Sequence, residues 1–409
     1  MKRVVITGAG VVSPVGSGAE AFFENLTQGV CGIGPITRFN TEGYKVKVAA
    51  EVKDFDPEAA GIDRAQAKRT DLFAQYAMAA AIQAVEDSGI EGTVAPERLG
   101  VYVGSGIGGM QTFVQETEKL LNRGPARVSP FFVPMMIGNM AAGNIAIRFN
   151  AQGPCLPVVT ACATSSHAIG EAFRAIKYGH ADAVIAGGAE ATIIPLAVAG
   201  FANMKALSES EDPEAASLPF DARRAGFVMG EGSGIVVLEE YAHAVHRGAK
   251  ILAEICGYGN TCDAYHITAP QPEGVGGANA IKLALSEAGY SGEKLYINAH
   301  GTGTPMNDKM ETQAIKTALG ETVARAALIS STKSMTGHML GAAGGVEAIA
   351  CAMALKNGVV PPTIHLDQPD PACDLNYVPN AAVKADIEMA LSSSLGFGGH
   401  NAVIALKRV

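Results

Sequence analysis

The chain has 409 residues, 48% of them hydrophobic and 17% charged, with a formal net charge of -9. That length and apolar share allow two or three domains, or one large duplicated one, around an ample core. An acidic balance with no long basic run excludes a nucleic-acid binder. No stretch of roughly 18 apolar residues offers a membrane span, the nearest (183–204) being interrupted by Glu190 and glycines.

In chain order, Met1-Lys2-Arg3 precedes an apolar run too short for a signal peptide, so a cytoplasmic location is expected. Arg3 to Thr7 reads as a strand entering Gly8-Ala9-Gly10-Val11-Val12-Ser13-Pro14. A dinucleotide fingerprint would need a third glycine where Ser13 stands, and Pro14 disfavours helix at the residue before it, so the expectation is a strand followed by a turn. Asp71 to Gly89 predicts an amphipathic, alanine-rich helix with glycine at its stop. Leu99 to Val103 predicts a strand feeding the loop Gly104-Ser105-Gly106-Ile107-Gly108-Gly109.

The apolar run Val158-Val159 then leads through Thr160-Ala161 to Cys162, and small residues open a helical pattern through Ala172, Phe173 and Ile176. Strand, tight turn and helix are expected, with the Cys162 sulfur at a helix N-terminus. Unpaired amides and the macrodipole there favour a thiolate, lowering the thiol below its ordinary ~8.5. The plain alternative is a buried, inert cysteine. The seven cysteines are scattered without a CxxC pair, which suits reduced thiols. Cys155 is read as structural.

Ala183 to Ala186 predicts another buried strand followed by glycines. The later chain repeats this grammar: helix Ala278 to Gly289, strand Leu295 to Ala299 feeding His300-Gly301-Thr302-Gly303, and a small-residue helix from Gly341 to Gly358. An internal duplication at an offset of roughly 200 residues follows, with mostly parallel sheets buried on both faces. Open parallel sheets gather ligand sites at strand C-termini, so the loops carrying Cys162, His300 and His338 are expected to converge. Singly, each histidine suits a structural hydrogen bond; one cysteine with two histidines on such loops is raw material for nucleophilic acyl chemistry. A metal site is a weaker reading, because the histidines lie 38 positions apart and no HExxH occurs.

Along Thr160-Ala161-Cys162-Ala163-Thr164, Pro219-Phe220-Asp221, Gly230-Glu231-Gly232, His300-Gly301-Thr302, Lys333-Ser334-Met335-Thr336-Gly337-His338 and Gly396-Phe397-Gly398-Gly399, the chain resembles the 3-oxoacyl-[acyl-carrier-protein] synthases, especially the elongating type II class. The resemblance spans nearly the whole length. It implies an α/β thiolase fold of two βαβαβαββ halves, residues 1–251 and 252–409, in a five-layered αβαβα sandwich, and a homodimer. It implies that Cys162 takes the acyl group from a carrier protein, with the amides of Cys162 and Phe397 as oxyanion hole. His300 and His338 would stabilise the enolate left when malonyl-carrier protein loses carbon dioxide. Lys333, paired with Glu347, would support His338 or hold two loops together. Thr302 and Thr304 match threonines that bond the pantetheine arm. Phe397 with Gly398 matches a gate, and Ile107 and Phe201 match residues near the acyl pocket. Lys68, Arg69, Arg127 and Lys205 match positions that dock the acidic carrier. No cofactor is implied beyond the 4'-phosphopantetheine on the carrier, and no nucleic-acid or membrane partner; an alkali cation near Asn298 and Glu347 occurs in some members.

Leu395 stands where the family usually has phenylalanine, and Ser393 where asparagine is common. The second histidine, His338, separates this pattern from thiolases (a second cysteine) and from chain-initiating synthases (Cys-His-Asn). Chain-length factors lack the nucleophile. The spelling His300-Gly301-Thr302-Gly303-Thr304 is shared with polyketide ketosynthases, whereas Asn307-Asp308-Lys309 is the fatty-acid pattern and no linker follows Val409. A polyketide ketosynthase and a non-catalytic acyl-carrier-binding protein are the alternatives.

Overall fold

A computed structural model describes residues 1–409. Its main strands are β1 (Val4–Ser13), β2 (Leu99–Gly104), β3 (Ala183–Glu190), β4 (Gly232–Glu240), β5 (Ala253–Cys262), β6 (Leu295–Asn298), β7 (Leu328–Ser330), β8 (Met389–Gly396) and β9 (His400–Lys407). Their hydrogen-bonded order is β7-β6-β8-β9-β5-β1-β4-β3-β2. The centre of this order is a short antiparallel seam where Val4, Val5 and Ile6 face Ile255, Glu254 and Ala253. Outward from the seam both sides repeat: a half's first strand, its last strand, its penultimate strand, then an earlier one. Where β7 closes one side, Cys155 alone bridges to Val101 on the other.

The expected mostly parallel pairing needs correction. β2 with β3, β6 with β8 and β6 with β7 are parallel, but β4 and β9 run antiparallel to both neighbours. One reversed strand is thus inserted into each otherwise co-directional half. For β9 the cause is local: Phe397-Gly398-Gly399 joins it to β8 as a tight hairpin, which supports only antiparallel pairing.

Four helices define the layers: α1 (Leu72–Ser88), α2 (Thr164–Lys177), α3 (Val275–Ala288) and α4 (Ala343–Asn357). α2 and α4 pack on each other and touch strands of both halves. α1 covers β1 and β4 from outside, and α3 covers β5 and β9. This is the αβαβα sandwich. α1 begins where the Asp71 carboxylate accepts from the Phe73 N–H and ends at Gly89 with φ 59. It is buried on nearly every side rather than amphipathic, because residues of the 52–62 segment and helix Met140–Arg148 cover its outer face.

Two local expectations fail for packing reasons. Gly8 and Gly10 do not turn the chain; both lie within β1, where an added Cβ would stand 2.2 Å from the Ala84 carbonyl oxygen and 1.9 Å from that of Ala80. The glycines admit α1 against the strand. Likewise Val158-Val159 is not a strand. The ladder stops after Leu156 bonds Val101, and the chain lifts over Gly104, where a Cβ would lie 1.9 Å from the Val158 oxygen. That departure aims the next turn at the cavity. No helix is long and apolar enough to cross a membrane.

Candidate active site

The turn after this lift is where Cys162 is set. Ala161 adopts φ 50, a single 3-10 turn spans Ala161–Ala163, and α2 follows at once. A non-glycine residue in the left-handed region costs roughly 1–2 kcal/mol and persists only where the surroundings hold it. Here the Thr160 N–H donates to Thr164 Oγ1 at 2.9 Å. From the other half, Gly396 presses in so closely that a Cβ would sit 2.7 Å from the Thr160 oxygen. Cys162 is therefore presented, nearly buried, to a cavity of about 500 Å³.

The same cavity is lined by His300, His338, Phe397, Thr302, Thr304, Ile107, Phe201 and Leu395. Loops of both halves thus build one site, as the motifs predict. Lys333 and Glu347 are buried and bonded to each other but do not line the cavity. Gly398 is also outside the lining; its N–H donates to the Ile267 oxygen at 2.8 Å, which fixes the far side of the hairpin. Lys205 lies on the cavity rim, while Lys68, Arg69 and Arg127 are exposed away from it.

His300 follows β6 because the backbone there is clamped. The His300 and Gly301 N–H groups each donate to the Glu311 carboxylate at 2.7 Å, and Ser331 Oγ donates to the Gly301 oxygen at 2.6 Å. His338 is held by backbone bonds to Val228 and Gly230. Its ring lies 5.3 Å from that of His300, nearly perpendicular to it. His338 Nδ1 accepts from the Leu340 N–H at 3.2 Å, so the neutral ring carries its proton on Nε2, an atom with no partner in the protein. Burial, followed by the Lys333 charge, holds both imidazoles well below the usual histidine range; for His300 the neighbouring His338 adds to this. Both rings are neutral, and His338 offers a free N–H donor to the cavity.

The thiol contradicts expectation. Burial pushes Cys162 up to about 12, against the opposing pulls of Lys333 and of the Phe397 and Cys162 amide N–H groups; Glu190 adds to the rise. A helix N-terminus favours a thiolate, but here the desolvation of a buried charge outweighs it. At rest Cys162 is a thiol. The two amides that face the sulfur are the pair anticipated as oxyanion hole.

An aromatic chain connects Phe397 to His338. Phe397 lies 6.5 Å from Phe201, Phe201 5.7 Å from Phe227, and Phe227 5.1 Å from His338, ring centre to ring centre. Thr302 and Thr304 hydroxyls are 3.1 Å apart, and Thr304 also caps the following helix through the Asn307 N–H.

Two buried carboxylates are not singled out by the motifs. Glu311 sits one turn beyond Asp308 on the helix after His300-Gly301-Thr302, and that i, i+3 acidic spacing is a usable signal. Glu190 reads in sequence only as a charge interrupting an apolar stretch; burial raises each carboxyl to about 7 against the donors that bond it.

The chain is similar to known proteins over its whole length. Sequence models of the Beta-ketoacyl synthase N-terminal and C-terminal domains match residues 1–244 and 252–367. The 3-oxoacyl-[acyl-carrier-protein] synthase 2 of Staphylococcus aureus (strain COL) is 52% identical over 409 residues, covering 100% of this chain and 98% of that one. The protein of the same name from Synechocystis sp. is 51% identical, with the same coverage. A beta-ketoacyl synthase from Burkholderia phymatum superposes with a TM-score of 0.92 at 34% identity, covering 100% of both chains. A type II PKS acyl-carrier protein in complex with its ketosynthase bound to the hexaketide gives 0.92 at 35%, covering 100% of this chain and 99% of that one. With both domains matched in order over a cysteine and two histidines gathered in one cavity, this chain belongs to the beta-ketoacyl synthase family.

Proposed function

We propose that this chain is an elongating 3-oxoacyl-[acyl-carrier-protein] synthase that condenses an acyl-enzyme thioester with malonyl-carrier protein. One observation carries the reading: a thiol, two neutral imidazoles and a pair of inward amides share one cavity. Cys162 sulfur attacks the acyl thioester; the thiol proton leaves with the departing carrier, which is released as a free thiol. The Cys162 and Phe397 amides hold the oxyanion of that tetrahedral step. Malonyl-carrier protein then enters, and its carboxylate departs as carbon dioxide. The electron pair moves toward the thioester oxygen, where the His338 Nε2–H and the His300 ring stabilise the enolate. The carbanion attacks the acyl carbon, expels Cys162 as thiolate and leaves a 3-oxoacyl-carrier protein two carbons longer; a proton from solvent restores the thiol. Neutral rings suit this step, because a donor is needed and no proton has to be abstracted.

Thr302 and Thr304 hydrogen-bond the pantetheine arm, Ile107 and Phe201 bound the acyl chain, and Phe397 with Gly398 forms the gate; the positive φ values of Gly398 and Gly399, 84 and 77, supply its backbone freedom. Lys333 and Glu347 form a buried pair that sets the charge near both histidines. Lys68, Arg69, Arg127 and Lys205 dock the acidic carrier; all four are exposed, with the Arg69 guanidinium stacked 4.9 Å from the Phe131 ring centre. A homodimer forms through the open edge beyond β2, a placement supported by the exposure of Leu156 and Val159 there. The residues suit an alkali cation beside this centre: Asn298 Oδ1, Glu347 Oε2 and the Ser392 hydroxyl are buried oxygens without partners, a hard-donor set that would hold it. No other cofactor is invoked. The higher identity to the two synthases than to the type II PKS ketosynthase favours this reading over a polyketide one. Intact-protein mass spectrometry after exposure to acyl-carrier protein tests it: an acyl adduct on the wild type that vanishes in Cys162→Ala, and is consumed on adding malonyl-carrier protein, is expected. No adduct under turnover conditions would leave a carrier-binding protein instead.

A further inference from the structure

One ionisable side chain on the cavity wall has no part in the chemistry above. Glu190 is the last residue of β3, is fully buried, and lines the cavity. Its carboxylate pairs with no lysine, arginine or histidine. It accepts four hydrogen bonds instead: Oε1 from Ser105 Oγ at 2.8 Å and the Ile107 N–H at 3.3 Å, Oε2 from the Gly106 N–H at 2.9 Å and the Gly341 N–H at 3.0 Å.

The donors come from two different places. Ser105, Gly106 and Ile107 form the loop after β2 that walls the acyl pocket, and Ile107 is half exposed into it. Gly341 lies on the turn just after His338, beyond Leu340, which is held at φ 46. The backbones close tightly on the carboxylate. A Cβ on Gly106 would be 2.7 Å from Glu190 Oε2, and one on Gly341 would be 2.8 Å from that oxygen and 2.4 Å from the Gly106 nitrogen. The Gly341 oxygen in turn accepts from Ser165 Oγ on α2, the helix seated behind Cys162. A glutamine could not replace this arrangement, because both oxygens accept and an amide nitrogen would face N–H donors.

We propose that Glu190 is a positioning residue that registers the acyl-pocket loop Ser105–Ile107 against the His338 turn, so that it sets which acyl chain lengths are condensed efficiently. This rests on the condensing-enzyme reading. A long chain presses on Ile107; the carboxylate transmits or resists that pressure at Gly341, and so fixes where His338 stands relative to the acyl-enzyme. Without the clamp the loop yields and chain length matters less.

The test uses carrier proteins charged with a short or a long saturated acyl chain, with wild type, Glu190→Gln and Ser105→Ala. The adduct on Cys162 is read by mass spectrometry, and kcat and KM for condensation are measured for each chain. For Glu190→Gln the ratio of kcat/KM between long and short chains is expected to change about tenfold, with KM for malonyl-carrier protein unmoved. Ser105→Ala keeps the carboxylate and loses one donor; it shifts the ratio the same way by a smaller factor, and decides the matter if the glutamine variant does not fold. An unchanged ratio in the folded variants, with both chains slowed equally, overturns the inference. A wild type that forms no adduct overturns the parent reading instead.

Discussion

The two halves use the same backbone turn for opposite purposes. In the first, Ala161 at φ 50 opens a 3-10 turn that runs into α2; in the second, Leu340 at φ 46 opens a 3-10 turn that runs into α4. The residue after the strained one is Cys162 in one half and Gly341 in the other. Each turn is met by the end of a strand from the partner half. Gly396, closing β8, brings the Phe397 amide to Cys162, whereas Glu190, closing β3, brings a carboxylate to Gly341. In the proposed reading, one copy of the turn carries the nucleophile with its oxyanion hole and the other is an anchor. The first half contributes the thiol and the four proposed docking cations, and the second contributes both imidazoles.

The division predicts separable losses. Replacing Cys162 by alanine removes the only acceptor of the acyl group, so adduct and condensation both fall by about 10³-fold or more, read by mass spectrometry and product formation. His338→Ala touches only the second half's chemistry. Condensation then falls by roughly 10²- to 10⁴-fold, while acyl transfer to Cys162 from a carrier stays within a few-fold. Comparable losses in both steps would break the division.

The resting thiol gives a third measure. A group whose acid dissociation is pushed up to about 12 has a thiolate fraction that rises with pH throughout the neutral range. Alkylation of Cys162 by iodoacetamide should therefore accelerate about tenfold per pH unit between about pH 6 and pH 9, without a plateau. A plateau near neutrality would mean that the helix terminus outweighs burial. The smallest effect concerns docking: charge reversal at Lys68 and Arg69 should raise KM for carrier-bound substrates several-fold and leave simple thioesters unaltered. Equal changes for both would dismiss the basic patch.

What can be read from residues alone follows the range of the cause. Helix stops at Gly89, Gly289 and Gly358 are legible because a left-handed residue is a local demand, met at φ 59, 70 and 64. Cys162, His300 and His338 are legible because the motifs around them survive intact. Apart from the β8–β9 hairpin, whose cause is local, the misreadings require a neighbour distant in sequence. Gly8 and Gly10 look like a turn until α1 is laid on them. Val158 and Val159 look like a strand until Gly104 lifts the chain away. The Cys162 thiol looks acidified until the depth of the cavity is counted. Glu190 looks like an interruption until the amides of Gly106 and Gly341 are found around it.

The seam at the centre of the sheet has a consequence for biosynthesis. β1 is made well before its partners β4 and β5, which begin only at Gly232 and Ala253. At ordinary translation rates the opening strand waits on the order of tens of seconds with its edges unmatched. The first half of the sheet, β1-β4-β3-β2, closes only once β4 has been made, and a nascent-chain chaperone would meet a bare Val4-Val5-Ile6 edge until then.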